Sequence, residues 1–183
     1  MNSKFLVDVE AIRKQARNNL QKGAVTENYK IGLDTMYEML NSALATEMIC
    51  TLRYKQHYYK ATELGATIAA EEFLEHSNQE QQHADQIAER IVQLGGQPNF
   101  NPAIFPAHSH ADYVDCDTVA EMIRENLVAE RIAIDIYREM ILFLGDNDST
   151  TRKLIEEILA VEEEHADDLL DIAKEYDINL MEK

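Results

Sequence analysis

The chain is poor in the residues that interrupt helices: six glycines and three prolines in 183 residues. That scarcity speaks against a β-sandwich with its frequent turns and for long, unbroken helices. Two cysteines are too few for a disulfide framework and suit a reducing compartment, the cytoplasm. No apolar run approaches the roughly 20 residues of a membrane span. The opening MNSKFLVDVE lacks the charged and apolar regions of a signal peptide, so no membrane association is expected. Positive charge is also scarce, with 17 Lys and Arg against 34 Asp and Glu and a net charge of −17. A surface of that sign repels phosphates and attracts cations. Hydrophobic residues make up 45% of the chain, enough for one globular domain with a sizeable core.

Five helical segments are expected from apolar periodicity and end signals. The first runs from about Phe5 to Leu20, with Phe5, Val9, Ile12, Ala16 and Leu20 on one stripe, and forms an N-terminal helix or arm within residues 1–29. A four-helix bundle over residues 30–183 completes a single domain. Its helices run from about Lys30 to Glu63, from Ile68 to Leu94, from a capping box at Thr118 and Glu121 to just before Gly145, and from a cap at Asp148 or Ser149 to about Tyr176. The segment QPNFNPAIFPAHSHADYVDCD holds all three prolines and is expected to be a non-helical connector. Short turns make each helix pair an antiparallel hairpin, and the long connector spans the bundle between them. The fold class is therefore all-α, a four-helix bundle with one long crossover and an extra N-terminal helix.

Each bundle helix has an inward seam, read at alternating steps of three and four. Every seam is mostly apolar and carries a glutamate near its middle: Glu47, Glu80, Glu130 and Glu162. The second and fourth also carry Glu-x-x-His, as Glu80 with His83 and Glu162 with His165. Residues three apart share a helix face, so each pair can address one point. In the run EEEH, Glu162 shares the seam with His165, and Glu163 and Glu164 turn outward. Four buried carboxylates without cations would each suffer several kcal/mol of desolvation besides mutual repulsion. Two divalent metals would balance them, and glutamates with two imidazoles suit Fe²⁺ or Mn²⁺. Removing one carboxylate, as in Glu162→Gln, is accordingly expected to leave the metal-free protein no less stable. The two halves echo each other, with Tyr54 seven residues after Glu47 and Tyr137 seven after Glu130.

This pattern resembles the ferritin-like superfamily, most closely bacterioferritins and Dps-like proteins with a bacterioferritin-type centre. The resemblance spans residues 30–176. It implies a ferroxidase that oxidises Fe²⁺ with O₂ or H₂O₂ at a di-iron site inside each subunit and stores the product in a hollow homo-oligomeric shell, protecting against oxidative damage. It implies Glu80 and Glu162 as bridging ligands, Glu47 and His83 as ligands of one metal, and Glu130 and His165 as ligands of the other. Manganese or zinc could replace the two irons of each subunit. Tyr54 matches a tyrosine that can give up an electron. Bacterioferritin binds haem through a methionine directly after the glutamate of its second helix. Gln81 stands there, so haem is not expected. The extra N-terminal helix, and the short stretch after His165, favour a shell of 12 subunits over 24.

A rival reading is a non-cage di-iron or di-manganese peroxidase or catalase. A weaker one is a DNA-binding nucleoid protein, supported only by Lys4, Arg13, Lys14, Arg17 and Lys22; DNA is not the expected partner. Among the remaining polar residues, His76 shares the seam of Glu80, one turn away, and is read as a core or supporting residue. His108 and His110 are read as solvated loop. Cys50 and Cys116 could form a redox pair if the fold brings them together.

Overall fold

The computed structural model describes residues 8–181. It is all-helical, with no strand among the described residues. The helices are α1 (Val9–Asn18), α2 (Leu33–Glu63), α3 (Thr67–Gln93), α4 (Phe105–His108), α5 (Val119–Leu144) and α6 (Ser149–Glu175), with a 3₁₀ turn at Leu20–Lys22. Helices α2 and α3 pair closely, as do α5 and α6, and α2–α5 and α3–α6 contacts join the pairs into a bundle.

The ends follow local chemistry. At α5 the Thr118 side chain accepts from the Glu121 amide while the Glu121 carboxylate accepts from the Thr118 amide, satisfying two donors that the helix itself cannot pair. At α6 the Asp148 side chain accepts from the Thr151 amide. Between α2 and α3 the chain reverses through Gly65 at φ 74°, a left-handed conformation that glycine adopts without a Cβ clash.

Three elements differ from expectation. Helix α2 begins at Leu33, not Lys30, because Gly32 is its N-cap. The first helix ends at Asn18, two residues short of Leu20, and its expected start at Phe5 lies outside the described residues, as does Lys4. It buries no residue: Val9 and Ile12 remain about half exposed. The crossover is not wholly irregular, since α4 forms one helical turn within it. Pro106 sits in that first turn, where its missing N–H has no intrahelical partner to lose. Phe105 buries against Ala45 and Ile49 of α2.

Helix α2 also holds the rest of the crossover, largely through main-chain atoms. Tyr37 Oη donates to Leu94 O (2.8 Å), Asn41 Oδ1 accepts from the Asn99 amide (2.8 Å) and Thr46 Oγ1 accepts from the His110 amide (3.0 Å). Further along, Arg53 Nη1 donates to Asp112 O (2.9 Å) and His57 Nε2 lies 3.2 Å from Val114 O.

The apolar core is split in two. One cluster includes Leu40, Leu44, Ile87, Tyr137 and Ile158. The other includes Tyr54, Phe73, Ile123, Leu169 and Ile172. Along every bundle helix the change from one cluster to the other falls at the seam glutamate, so a buried polar layer separates two apolar plugs.

Candidate metal centre

Each bundle helix delivers one glutamate to this layer. Glu47 comes from α2, Glu80 from α3, Glu130 from α5 and Glu162 from α6, each at most 1% exposed. One turn on, α3 adds His83 and α6 adds His165, also buried. The neighbours Glu163 and Glu164 are exposed, and Glu163 pairs with Arg138 on the surface at 2.6 Å. The helical phase read from the sequence is the phase observed.

The six side chains converge. His83 Nδ1 lies 3.0 Å from Glu162, 3.3 Å from Glu47 and 3.4 Å from Glu80. His165 Nδ1 lies 3.6 Å from Glu162, 3.8 Å from Glu80 and 3.9 Å from Glu130. Glu80 and Glu162 thus reach both imidazoles, Glu47 only the first and Glu130 only the second. Two overlapping sets of donor atoms result, sharing Glu80 and Glu162. Glu80 Oε1, Glu130 Oε2, both oxygens of Glu162 and His165 Nδ1 are buried without a hydrogen-bond partner. Unpaired buried polar atoms are costly, and a cation set among them would satisfy all of them.

Charge in the layer is divided unevenly. Burial, with repulsion from Glu80 and Glu162, raises the carboxyls of Glu47 and Glu130 well above the ordinary carboxylate range. Burial also opposes ionisation of Glu162, but its contacts with His165 and His83 outweigh it and hold that carboxyl below the ordinary range. Burial disfavours charge on the imidazoles too; Glu162 and the other carboxylates overcome it and raise both His83 and His165. Without metal, burial thus favours the neutral forms of Glu47 and Glu130, while Glu162 and the two imidazoles favour each other's charged forms.

Several residues around the layer escaped the sequence reading. Gln79 Oε1 lies 2.7 Å from His165 Nε2. Accepting that ring proton leaves Nδ1 directed at the carboxylates, the orientation a metal-binding imidazole needs. Arg53 is fully buried, donating to Asn126 Oδ1 (3.0 Å) as well as to the crossover. Neither residue belongs to a motif or period that marks it. Tyr54 donates to Glu130; Tyr137 is buried, with its hydroxyl unpaired. His57 bonds Asn126 and the crossover and is lowered to about 4, chiefly by burial. Cys50 and Cys116 are free thiols in the same apolar cluster, and burial raises both. His108 is exposed, whereas His110 is half-buried against Thr46 at 3.0 Å.

A four-helix bundle with one glutamate from each of two helices and Glu-x-x-His from each of the others has the architecture of the carboxylate-bridged di-metal proteins. The comparisons narrow that class. A family profile described as a ferritin-like domain matches residues 37–177. Bacterioferritin of Mycobacterium avium is 31% identical over 146 residues, 79% of this chain and 84% of the relative. Bacterioferritin of Brucella melitensis is 33% identical over 139 residues, 74% and 81% of the two chains. Among solved structures, the bacterioferritin-related protein of Bacteroides fragilis, described as a dodecameric thioferritin, superposes with a TM-score of 0.70 at 26% identity, covering 91% of this chain and 94% of its own. Bacterioferritin of Rhodobacter capsulatus, with a metal-free dinuclear site and haem iron, gives 0.69 at 26% identity over 81% and 89%. The chain belongs to the ferritin-like family, with bacterioferritin-type features.

Proposed function

We propose that this protein takes up Fe²⁺, oxidises it in the buried glutamate–histidine layer and stores the ferric product inside a homo-oligomeric shell, lowering the exposure of the cell to iron and peroxide. The observation that carries this reading is the sharing of Glu80 and Glu162 between two donor sets, each completed by one further glutamate and one histidine. In this reading Glu80 and Glu162 bridge, Glu47 and His83 hold one ion, and Glu130 and His165 hold the other. The donor set fits iron, and manganese or zinc could occupy the same places. Two ferrous ions held there would supply one electron each to O₂ or H₂O₂.

The protein's own residues prepare that chemistry. The acidic surface concentrates cations. Glu47, Glu130, His83 and His165 release protons as cations arrive, because ligands bind in their deprotonated forms. Gln79 keeps His165 turned inward, and Tyr54 fixes Glu130 while placing a phenol beside the centre as an electron donor. The two apolar plugs keep bulk water out. Gln81 is hydrogen-bonded to Asp85 of its own helix and offers haem no sulfur ligand, so the proposed protein works without haem. The dodecameric Bacteroides fragilis relative supports a 12-subunit shell over a 24-subunit one. A cytoplasmic location is proposed, with DNA outside the set of partners.

Stopped-flow oxidation of Fe²⁺ combined with size-exclusion chromatography tests this. The parent should elute as a shell and oxidise about two Fe²⁺ per subunit in a fast phase. Glu162→Ala and His83→Ala should lose that phase, and Glu163→Gln should retain it. A monomeric or dimeric species that turns over peroxide without accumulating iron would refute storage.

A further inference from the structure

The layer has unlike ends. Beyond His83 no further histidine follows, but beyond His165 the ring of His76 stacks on it, with centroids 3.9 Å apart and an interplanar angle of 22°. His76 comes from α3 and is 1% exposed, yet neither of its ring nitrogens has a hydrogen-bond partner. Its Nε2 lies beside two carboxylates, 3.2 Å from Glu72 Oε1 and 3.6 Å from Asp168 Oδ2, in neither case with hydrogen-bond geometry. Both carboxylates are partly exposed, with side-chain exposures of 29% and 42%. One donor atom from each of the three residues lies within 4.8 Å of the others. His76 also groups with Glu130 and His165 on the same criterion.

An ordinary core explanation fails here. A buried histidine in a satisfied core donates one ring proton and accepts at the other nitrogen; this one does neither. The acids meanwhile repel each other. Burial and then Asp168 and Glu75 raise Glu72, while burial and then Glu164 raise Asp168. A buried imidazole with both nitrogens unpaired, set beside two partly dehydrated carboxylates, is a ligand set without its cation.

We infer that Glu72, His76 and Asp168 form a third divalent-cation site, separate from the shared-glutamate layer and opening on the α3–α6 surface. One nitrogen and two carboxylates suit Fe²⁺, Mn²⁺ or Zn²⁺, with the remaining coordination positions taken by water. Three protein ligands and partial exposure make it a weaker site than the central pair. Its position follows from the stacking: an ion on His76 is one imidazole away from His165. If the proposed function is right, the site is a stopping place for ions entering or leaving the centre. The binding site itself does not depend on that reading.

Zn²⁺ is the probe. Crystals of the metal-free protein soaked in Zn²⁺, and recorded at the zinc edge, should show an anomalous peak about 2.0–2.2 Å from His76 Nε2 and from oxygens of Glu72 and Asp168. In solution, a Zn²⁺ titration of Glu72→Gln/Asp168→Asn should bind one fewer equivalent per subunit than the parent, with the tight phase unchanged. Asp167→Asn, altering an exposed acid next door, should titrate like the parent. These half-exposed substitutions spare the His76–His165 stack, so loss of fold does not obscure the result; thermal melts check that. No peak at saturating Zn²⁺, or a peak accompanied by identical titrations of parent and double variant, overturns the inference. A peak at His76 with none at Glu80 and Glu162 would sustain it and sink the di-metal function.

Discussion

Glu162 and Glu130 lie in the same buried layer, yet their conversion to glutamine should move the stability of the metal-free protein in opposite directions. The sequence alone suggested that removing any one of four clustered carboxylates relieves repulsion, with Glu162→Gln as the instance. The structure reverses that instance. Glu162 is the anion that both His83 and His165 contact, at 3.0 and 3.6 Å, and its carboxyl is held below the ordinary range. Glutamine there removes the anion that most favours charge on two buried imidazoles. Breaking one partner from a buried ion pair costs about 3–5 kcal/mol, or on the order of 10 °C in Tm for a domain of this size. Glu130 is raised well above the ordinary range, so the folded chain pays to keep it protonated. An isosteric glutamine abolishes that cost, a gain of at most about 4 kcal/mol near pH 7 that fades as pH falls toward about 4.3. The assay is thermal melting of chelator-treated protein at equal subunit concentration from pH 5 to 8. Glu162→Gln melting at or above the parent, together with Glu130→Gln melting below it, would refute the charge assignment.

Three other outcomes are expected. The raised carboxyls of Glu47 and Glu130 and the raised imidazoles of His83 and His165 bind more protons folded than unfolded. Below the unfolded histidine value of about 6.5 the lowered His57 and His76 run the other way and offset the carboxyls, so metal-free stability should decline as pH rises above about 6.5. Zn²⁺-loaded protein, whose centre has already lost those protons, should lack that decline; parallel melts decide. Calorimetric titration of Zn²⁺ in two buffers of different ionisation enthalpy should show proton release on binding to the parent and less release for Glu130→Gln. Gly96→Ala should destabilise by about 1–3 kcal/mol, because a Cβ there would fall 2.5 Å from the Tyr37 ring and displace its bond to Leu94 O; urea denaturation measures it.

The legible parts of this molecule were those written in helical period. A register error of one residue at α6 would have put Glu163 in the centre; the apolar positions Ile155, Ile158 and Leu169 fix the phase that selects Glu162. The Thr118–Glu121 box was readable because both partners lie within one turn. The illegible parts are long-range. Gln79 supports His165 from 86 residues away, and Arg53 meets Asn126 across 73; no local pattern records such a pairing. The turn at α4 was hidden for a different reason. Its proline reads as a breaker in a linear scan, and only the burial of Phe105 against α2 shows that the chain had cause to coil there. The apolar stripe of α1 was visible too, but the described residues of this single chain offer nothing that covers it.

The grip of α2 on the crossover has a consequence for how the chain can change. Tyr37, Asn41, Thr46, Arg53 and His57 all address amides or carbonyls, between Leu94 and Val114, that any residue but proline would present. The route of the connector is thus held largely by the helix beneath it, with Phe105, Ala111 and Cys116 as its own buried anchors. Homologues can rewrite much of that surface while the path stays put, and a designer could replace the exposed residues between 107 and 115 without moving the bundle, provided the buried Ala111 is kept and the residue at position 110 is not proline. Drift in the connector and constancy in those five α2 side chains would be two faces of one arrangement.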